Sequence, residues 1–164
     1  AYHSIVEESN ALLGVIQEED PTHELVVVVK IAPDTKPSEA VALANHKRCK
    51  GLCVGNTLPY GKLPEQVPWE YLFGPGESPL IKRGFKQAGG LSGHYLLPII
   101  CNLISEIRDR GMDKHINACG GITGPFSALK AFNAGADSIS VGSASILAPW
   151  GVISAIIMSY IMRP

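Results

Sequence analysis

The order of apolar runs predicts an α/β fold built from four parallel βα units. Three observations carry this. "ELVVVVKIA" at 24–32 is an unbroken β-branched run, as expected of a strand buried on both faces. Three further short apolar runs, "GLCVGN", "HINACG" and "DSISVGS", are each followed by a helical pattern. Glycines cluster where those runs end, and strand–helix alternation of this kind implies parallel strands joined by right-handed crossovers.

The elements follow in order. "AYHSIVEESNALLGVIQEED" reads as a helix with Ile5, Ser9, Leu12 and Ile16 on one stripe. It has no strand before it and the chain opens on Ala1, so the sequence looks cut from something longer. After the valine run, Pro37 suits a first helical turn, and "SEAVALANHK" continues as a helix ending near Gly51. "GLCVGN" is the second strand. Residues 57–93 are so rich in proline and glycine that they predict one long loop without regular structure. "HYLLPIICNLISEIRDRG" is a helix with Leu97, Ile100, Ile104 and Ile107 on one face and Gly111 as its terminator. "HINACG" is the third strand, and "GPFSALKAFNAG" is a helix from Pro125 to Gly135. "DSISVGS" is the fourth, and a terminal helix closes the chain. Four such units fit either a small open sheet or half of an eight-stranded barrel.

Composition narrows the class. The 164 residues, 46% hydrophobic and 18% charged, suffice for one domain with a sizeable core. A net charge of −1 and a single short basic run, "HKRCK" at 46–50, argue against nucleic-acid binding; the run reads as a solvated helix end. Cys49, Cys53, Cys101 and Cys119 have no zinc-type spacing and read as free thiols in a reducing compartment, so no metal is expected. "APWGVISAIIMSYIM" is too short and too interrupted to span a bilayer.

Function in βα units sits at the carboxyl ends of the strands. Gly120-Gly121 follows the third strand and Gly142-Ser143 the fourth, and glycines before helix starts let backbone N–H groups meet an anion. Two adjacent strand ends of this kind make one phosphate cup, which in barrels belongs to strands seven and eight. The competing reading is a pair of tight turns. Lys30 ends the valine run, where it could face a pocket and steady negative charge, or snorkel outward. Asn56-Thr57 offers an amide and a hydroxyl for a planar imide or carboxylate edge, or simply forms a turn. "GGLSG" at 89–93 closes the long loop and alone would read as a linker.

Taken together, "VVKIAPD", "GNT", "GGLSG", "NACGGI" and "AGADSISVGSA", in this order, resemble the C-terminal half of dihydroorotate dehydrogenases, from Glu24 to about Trp150. "GGLSG" with "VVKIAPD" is specific, whereas "AGAD…VGSA" is shared by many phosphate-binding barrels. The resemblance implies the C-terminal half of a TIM (β/α)8 barrel holding FMN at its strand ends, with 1–164 as one incomplete barrel domain and 57–93 as its active-site loop. It implies that Lys30 contacts the flavin ring, that Gly55 lies against it, and that Asn56 and Thr57 hold the pyrimidine. Gly93, Gly120, Gly121, Gly142 and Ser143 would take the phosphate and ribityl chain. The implied reaction oxidises dihydroorotate to orotate in pyrimidine biosynthesis, removing a proton from C5 and a hydride from C6. The family's catalytic Cys or Ser lies on a loop that would precede Ala1, so no base is assigned; Cys53 and Cys119 are expected to face neighbouring core. The other readings are a dihydropyrimidine dehydrogenase-like flavin reductase and a non-catalytic half-barrel for a phosphorylated ligand. A cytoplasmic protein is expected, pairing with a missing N-terminal half or with a second copy. The electron acceptor and any membrane association depend on elements outside the sequence.

Overall fold

A computed structural model describes residues 5–161. The chain opens with α1 (Ile5–Glu19), then β1 (Val27–Ile31), α2 (Pro37–Ala44) and β2 (Cys49–Val54). The long connection holds β3 (Leu58–Pro59), α3 (Trp69–Phe73), α4 (Pro79–Lys82) and β4 (Gly90–Leu91). The remainder is α5 (Leu96–Asp109), β5 (His115–Cys119), α6 (Pro125–Asn133), β6 (Ser138–Ser140), α7 (Ser143–Leu147) and α8 (Pro149–Ile161). The main sheet has the order β1-β2-β5-β6 with every pairing parallel. These are the four expected βα units of a partial barrel.

Alternation along the strands divides the sheet into two faces. Leu52, Val54, Ile116 and Ala118 are fully buried under α2 and α5, and Ile31 joins them. α5 supplies the facing layer through Leu96, Ile99, Ile100, Leu103, Ile104 and Ile107, while Leu97 lies at its margin. The other face is polar and only partly covered: Lys30, Cys53, Asn117 and Ser138 stand side by side across the four strands. The expectation that the valine run is buried on both faces therefore fails. Val26 is 78% and Val28 44% exposed, because β1 is a sheet edge and no described residue covers its second face.

Helix punctuation follows the residues. Pro125 sits in the first turn of α6, and Gly111 and Gly135 take the left-handed conformation (φ 83° and 106°) just past α5 and α6. Arg108 ties these ends together, donating to the carbonyls of Met112, Lys114 and Gly135 and pairing with Asp137 at 2.6 Å. Asp137 in turn accepts the Ile116 N–H at 2.7 Å, so α5, β5 and the start of β6 are held in register.

Several details differ from the sequence reading. On α1 the buried position is Leu13, with Val6 packed on the core, whereas Leu12 is exposed; the stripe is one residue out of phase, and the Ile5 side chain lies outside the described residues. α2 stops at Ala44, since the basic run is not a solvated helix end. Arg48 is fully buried, paired with Asp20 and donating to the Leu25 carbonyl. Lys114 meanwhile donates to the carbonyls of Ala44, His46 and Cys49, closing α2 from the β5 side. The expected structureless loop is ordered by the antiparallel β3–β4 pair and by Tyr60, Trp69 and Phe73, whose ring centroids lie 4.9–6.1 Å apart. The expected terminal helix is α8, and a short helix that the sequence reading did not include, α7, precedes it. No helix among the described residues is long and apolar enough to cross a membrane.

Candidate functional site

A cavity of about 150 Å³ opens at the carboxyl ends of the strands. Its wall includes Lys30 from β1, Asn56 and Thr57 after β2, Ser92 and Gly93 after β4, Cys119 to Thr123 after β5, and Ser140, Gly142, Ser143 and Ala144 around the end of β6. Eight of the nine residues singled out from the sequence thus meet in one place. Gly55 does not line it.

Chain geometry explains the convergence. In a parallel sheet every strand ends at the same edge, which collects Lys30, Asn56, Gly120 and Gly142. The β3–β4 pair then fastens the two ends of the long connection, bringing Thr57 beside Gly90 and so Asn56-Thr57 beside Ser92-Gly93.

The glycines play different parts. A Cβ at Gly55 (φ +124°) would lie 1.6 Å from the Cys119 carbonyl oxygen, so Gly55 allows the ends of β2 and β5 to pack together. A Cβ at Gly121 (φ +71°) would meet the Leu97 backbone nitrogen at 2.5 Å, seating that loop on the start of α5. At these two positions the tight-packing reading holds. Gly142 is different: its φ is −106° and nothing lies within 4 Å of where its Cβ would be. Neither strain nor a protein neighbour requires glycine there; its absent side chain leaves room in the cavity.

Among the described residues that line the wall, Lys30 is the one basic side chain and none is a carboxylate. An anion fits that balance. Asn56 accepts the Thr57 N–H at 3.0 Å through its own side chain, an interaction of turns, and both residues remain exposed. Below Lys30 the polar face continues as a bonded network. Asn117 donates to Ser138 at 2.8 Å and accepts from Ser140 at 2.8 Å, and His115 contacts Ser138 at 2.8 Å.

Cys119 departs from expectation. It lines the cavity instead of facing core, and the Lys30 ammonium lies 3.9 Å from its sulfur. Cys53 donates to the Asn117 side-chain oxygen at 3.5 Å, and burial pushes its thiol up, the nearby Lys30 only partly offsetting this. The signal for Cys119 and Ser140 was present in the sequence as parity: each stands on the same strand face as Lys30.

Comparison with known proteins places these features. The sequence profile of the family described as "Dihydroorotate dehydrogenase" matches residues 3–161. The catalytic subunit of dihydroorotate dehydrogenase B (NAD(+)) from Oceanobacillus iheyensis is 31% identical over 131 residues, covering 79% of this chain and 39% of that protein. The crystal structure of ligand-free DHODH from Eimeria tenella superposes with a TM-score of 0.60 at 26% identity, over 82% of this chain and 34% of that one. A second Eimeria tenella structure, DHODH in complex with ferulenol, shares the fold with a TM-score of 0.59 at 22% identity, over 92% of this chain and 41% of that one. The chain spans roughly two fifths of the length of these relatives.

Proposed function

The chain belongs to the dihydroorotate dehydrogenase family, and from this premise we propose that its cavity forms the phosphate and ribityl end of an FMN site in an enzyme oxidising dihydroorotate to orotate. The observation that carries the reading is the convergence of Lys30, the Asn56-Thr57 pair and three glycine-bearing strand ends on one anion-compatible cavity.

The fit to FMN can be judged from volume and charge. About 150 Å³ is roughly five water volumes. That accommodates a phosphate and part of a polyol chain, but lies below the roughly 300–1,000 Å³ of a complete small-molecule site. The described residues would therefore hold one end of the cofactor. Gly93, Gly120, Gly121, Gly142 and Ser143 would take the phosphate and ribityl groups, and Gly55 would shape the neighbouring floor by letting β2 and β5 close up.

Bound here, FMN would supply the hydride acceptor needed to turn a carbon–carbon single bond into a double bond. The chain's own residues bind and orient. Lys30 would steady negative charge close to the ring, through space. Asn56 and Thr57 would hold the pyrimidine edge by an amide and a hydroxyl, exchanging the local turn bond of Asn56 for contacts to substrate. We assign no residue of this chain as the base that takes the C5 proton. Residues 57–93 would act as the active-site loop of a single barrel domain, and the enzyme would work in the cytoplasm. The Oceanobacillus relative is a catalytic subunit named for NAD(+), which makes an electron-accepting partner subunit one candidate beside quinone or fumarate.

Anaerobic mixing tests the activity. Dihydroorotate should bleach the flavin of the FMN-loaded protein, and dihydrouracil should not. Lys30→Ala should slow the bleaching at least tenfold while leaving the melting temperature within a few degrees. Bleaching by dihydrouracil alone would favour the dihydropyrimidine dehydrogenase-like reading. Equal rates in Lys30→Ala and parent would remove Lys30 from the chemistry.

A further inference from the structure

Away from the strand-end cavity, the helical layer carries a concave site of its own, built by the turn-to-turn spacing of two helices. Leu97 and Cys101 stand one turn apart on the flank of α5 that turns away from the sheet, with Pro98 beside them. Lys130 and Asn133 stand one turn apart on the facing flank of α6. The groove between them encloses about 530 Å³. That lies within the roughly 300–1,000 Å³ of sites for whole small molecules. Groove and strand-end cavity share no lining residue.

Charge and surface indicate the occupant. The rings of His94 and Tyr95, with centroids 4.2 Å apart, border the groove where α5 begins, and Leu97 and Pro98 continue its apolar wall. Lys130 is the one lysine or arginine among the described lining residues, and none is a carboxylate. Its ammonium makes no hydrogen bond or ion pair with a described residue. It stands close enough to act on Cys101, whose thiol is raised by burial and partly lowered again by the Lys130 charge. Lys130 also borders the neighbouring depression over Thr123 to Ser127, where no described residue supplies a carboxylate either. We propose that the α5–α6 groove binds a small aromatic carboxylate, its ring against Tyr95, Leu97 and Pro98 and its carboxylate on the Lys130 ammonium.

Each half of that ligand answers one feature of the wall. A flat ring buries apolar area on Leu97 and Pro98 and can stack, offset, on an aromatic face. A carboxylate gives the unpaired ammonium its acceptor, and the Asn133 amide can donate a second hydrogen bond. A phosphate ester would bring more negative charge than one lysine meets, against walls that are otherwise apolar. A cationic ring would be repelled, and a neutral one would leave Lys130 as it is.

The test titrates the purified protein with 2-naphthoate, and with 2-naphthylmethanol and 2-naphthylmethylamine as the neutral and cationic counterparts of the same ring. Calorimetry reads affinity. Cys101 reads position: its alkylation by N-ethylmaleimide is followed by peptide mass spectrometry, with Cys53 and Cys119 as references. Naphthoate should bind at least fivefold more tightly than the alcohol, the amine should bind weakest, and saturating naphthoate should slow alkylation of Cys101 at least fivefold. Lys130→Met should erase the preference for the acid, and Lys130→Arg should keep it. Equal affinity for acid and alcohol would overturn the proposal, as would protection of Cys119 in place of Cys101. The parent protein alone decides this if a variant fails to fold. Neither readout needs flavin or turnover, so failure here is distinct from failure of the proposed oxidation.

Discussion

Arg48 belongs to a run of basic residues that suggests solvent, yet its side chain is completely buried at the end of the sheet away from the cavity. Asp20 makes this tolerable. Its carboxylate pairs with Arg48 and accepts the N–H groups of Glu24 and Leu25, both at 3.1 Å, so one side chain anchors the whole connection from α1 to β1. Burial alone would raise the Asp20 carboxyl, but the Leu25 and Glu24 N–H groups and the Arg48 charge outweigh it and hold the carboxyl below its ordinary value. A depressed folded value contributes stability that is complete above the unfolded carboxylate range, about pH 4, and is lost as pH falls through the folded value. Thermal melts across pH 7 to 3 should therefore show the parent losing stability in acid. Asp20→Asn should melt lower at pH 7 and fall less steeply, so that the curves converge. Parallel curves would mean that Asp20 is not linked to folding. The pairing was not legible in the sequence, because nothing in "HKRCK" distinguishes the arginine that turns inward from the lysines beside it; only the contact 28 residues upstream does.

At the scale of elements, strands and crossover helices were legible because each has its own period and punctuation. Boundaries slipped where tertiary contacts override local pattern. α2 ends before the basic run since Arg48 is drawn into the core, and β2 begins correspondingly early at Cys49. The long connection was misread for the same reason: its β3–β4 pair joins Leu58-Pro59 to Gly90-Leu91, and Tyr60 packs on Trp69 and Phe73, contacts that no local window reveals. The glycine-bearing loops were recognised as a set, but their individual roles needed coordinates. Those roles give a paired prediction. Gly55→Ala forces a Cβ into the Cys119 carbonyl at a positive φ and should destabilise by more than the roughly 1 kcal/mol of an unstrained glycine replacement. Gly142→Ala meets no protein atom and should leave the melting temperature nearly unchanged while weakening FMN binding several-fold. Calorimetry and flavin titration on both variants check this. The reverse pattern, with Gly142→Ala unfolding the protein and Gly55→Ala tolerated, would contradict the assignment.

Across the whole molecule, the sheet is finished on one face and open on the other. β1 and β6 are both edges, as expected for four strands of a barrel, and unpaired edges invite pairing with other chains. Leu25, Val26 and Val28 are exposed at one edge, and Ile146, Leu147 and Trp150 stand out beyond the other. Ile153 and Ile157 on α8 add to this surface, whereas the Ile156 side chain lies outside the described residues. Large apolar side chains exposed beside unpaired sheet edges favour association. A polypeptide of these 164 residues should therefore associate with itself or with a complementary chain, and bind a dye specific for exposed apolar surface. A compact, dye-silent monomer at high concentration would mean that the second face is covered from within.

If the converging strand ends form a phosphate cup for FMN, flavin-free protein must distinguish FMN from riboflavin in an equilibrium titration. The two ligands differ only by the phosphate, so the cup predicts FMN binding at least tenfold tighter, with the advantage shrinking in Gly142→Ala and at high salt. Equal affinity for both, or no binding of either by the complete protein, would contradict the account.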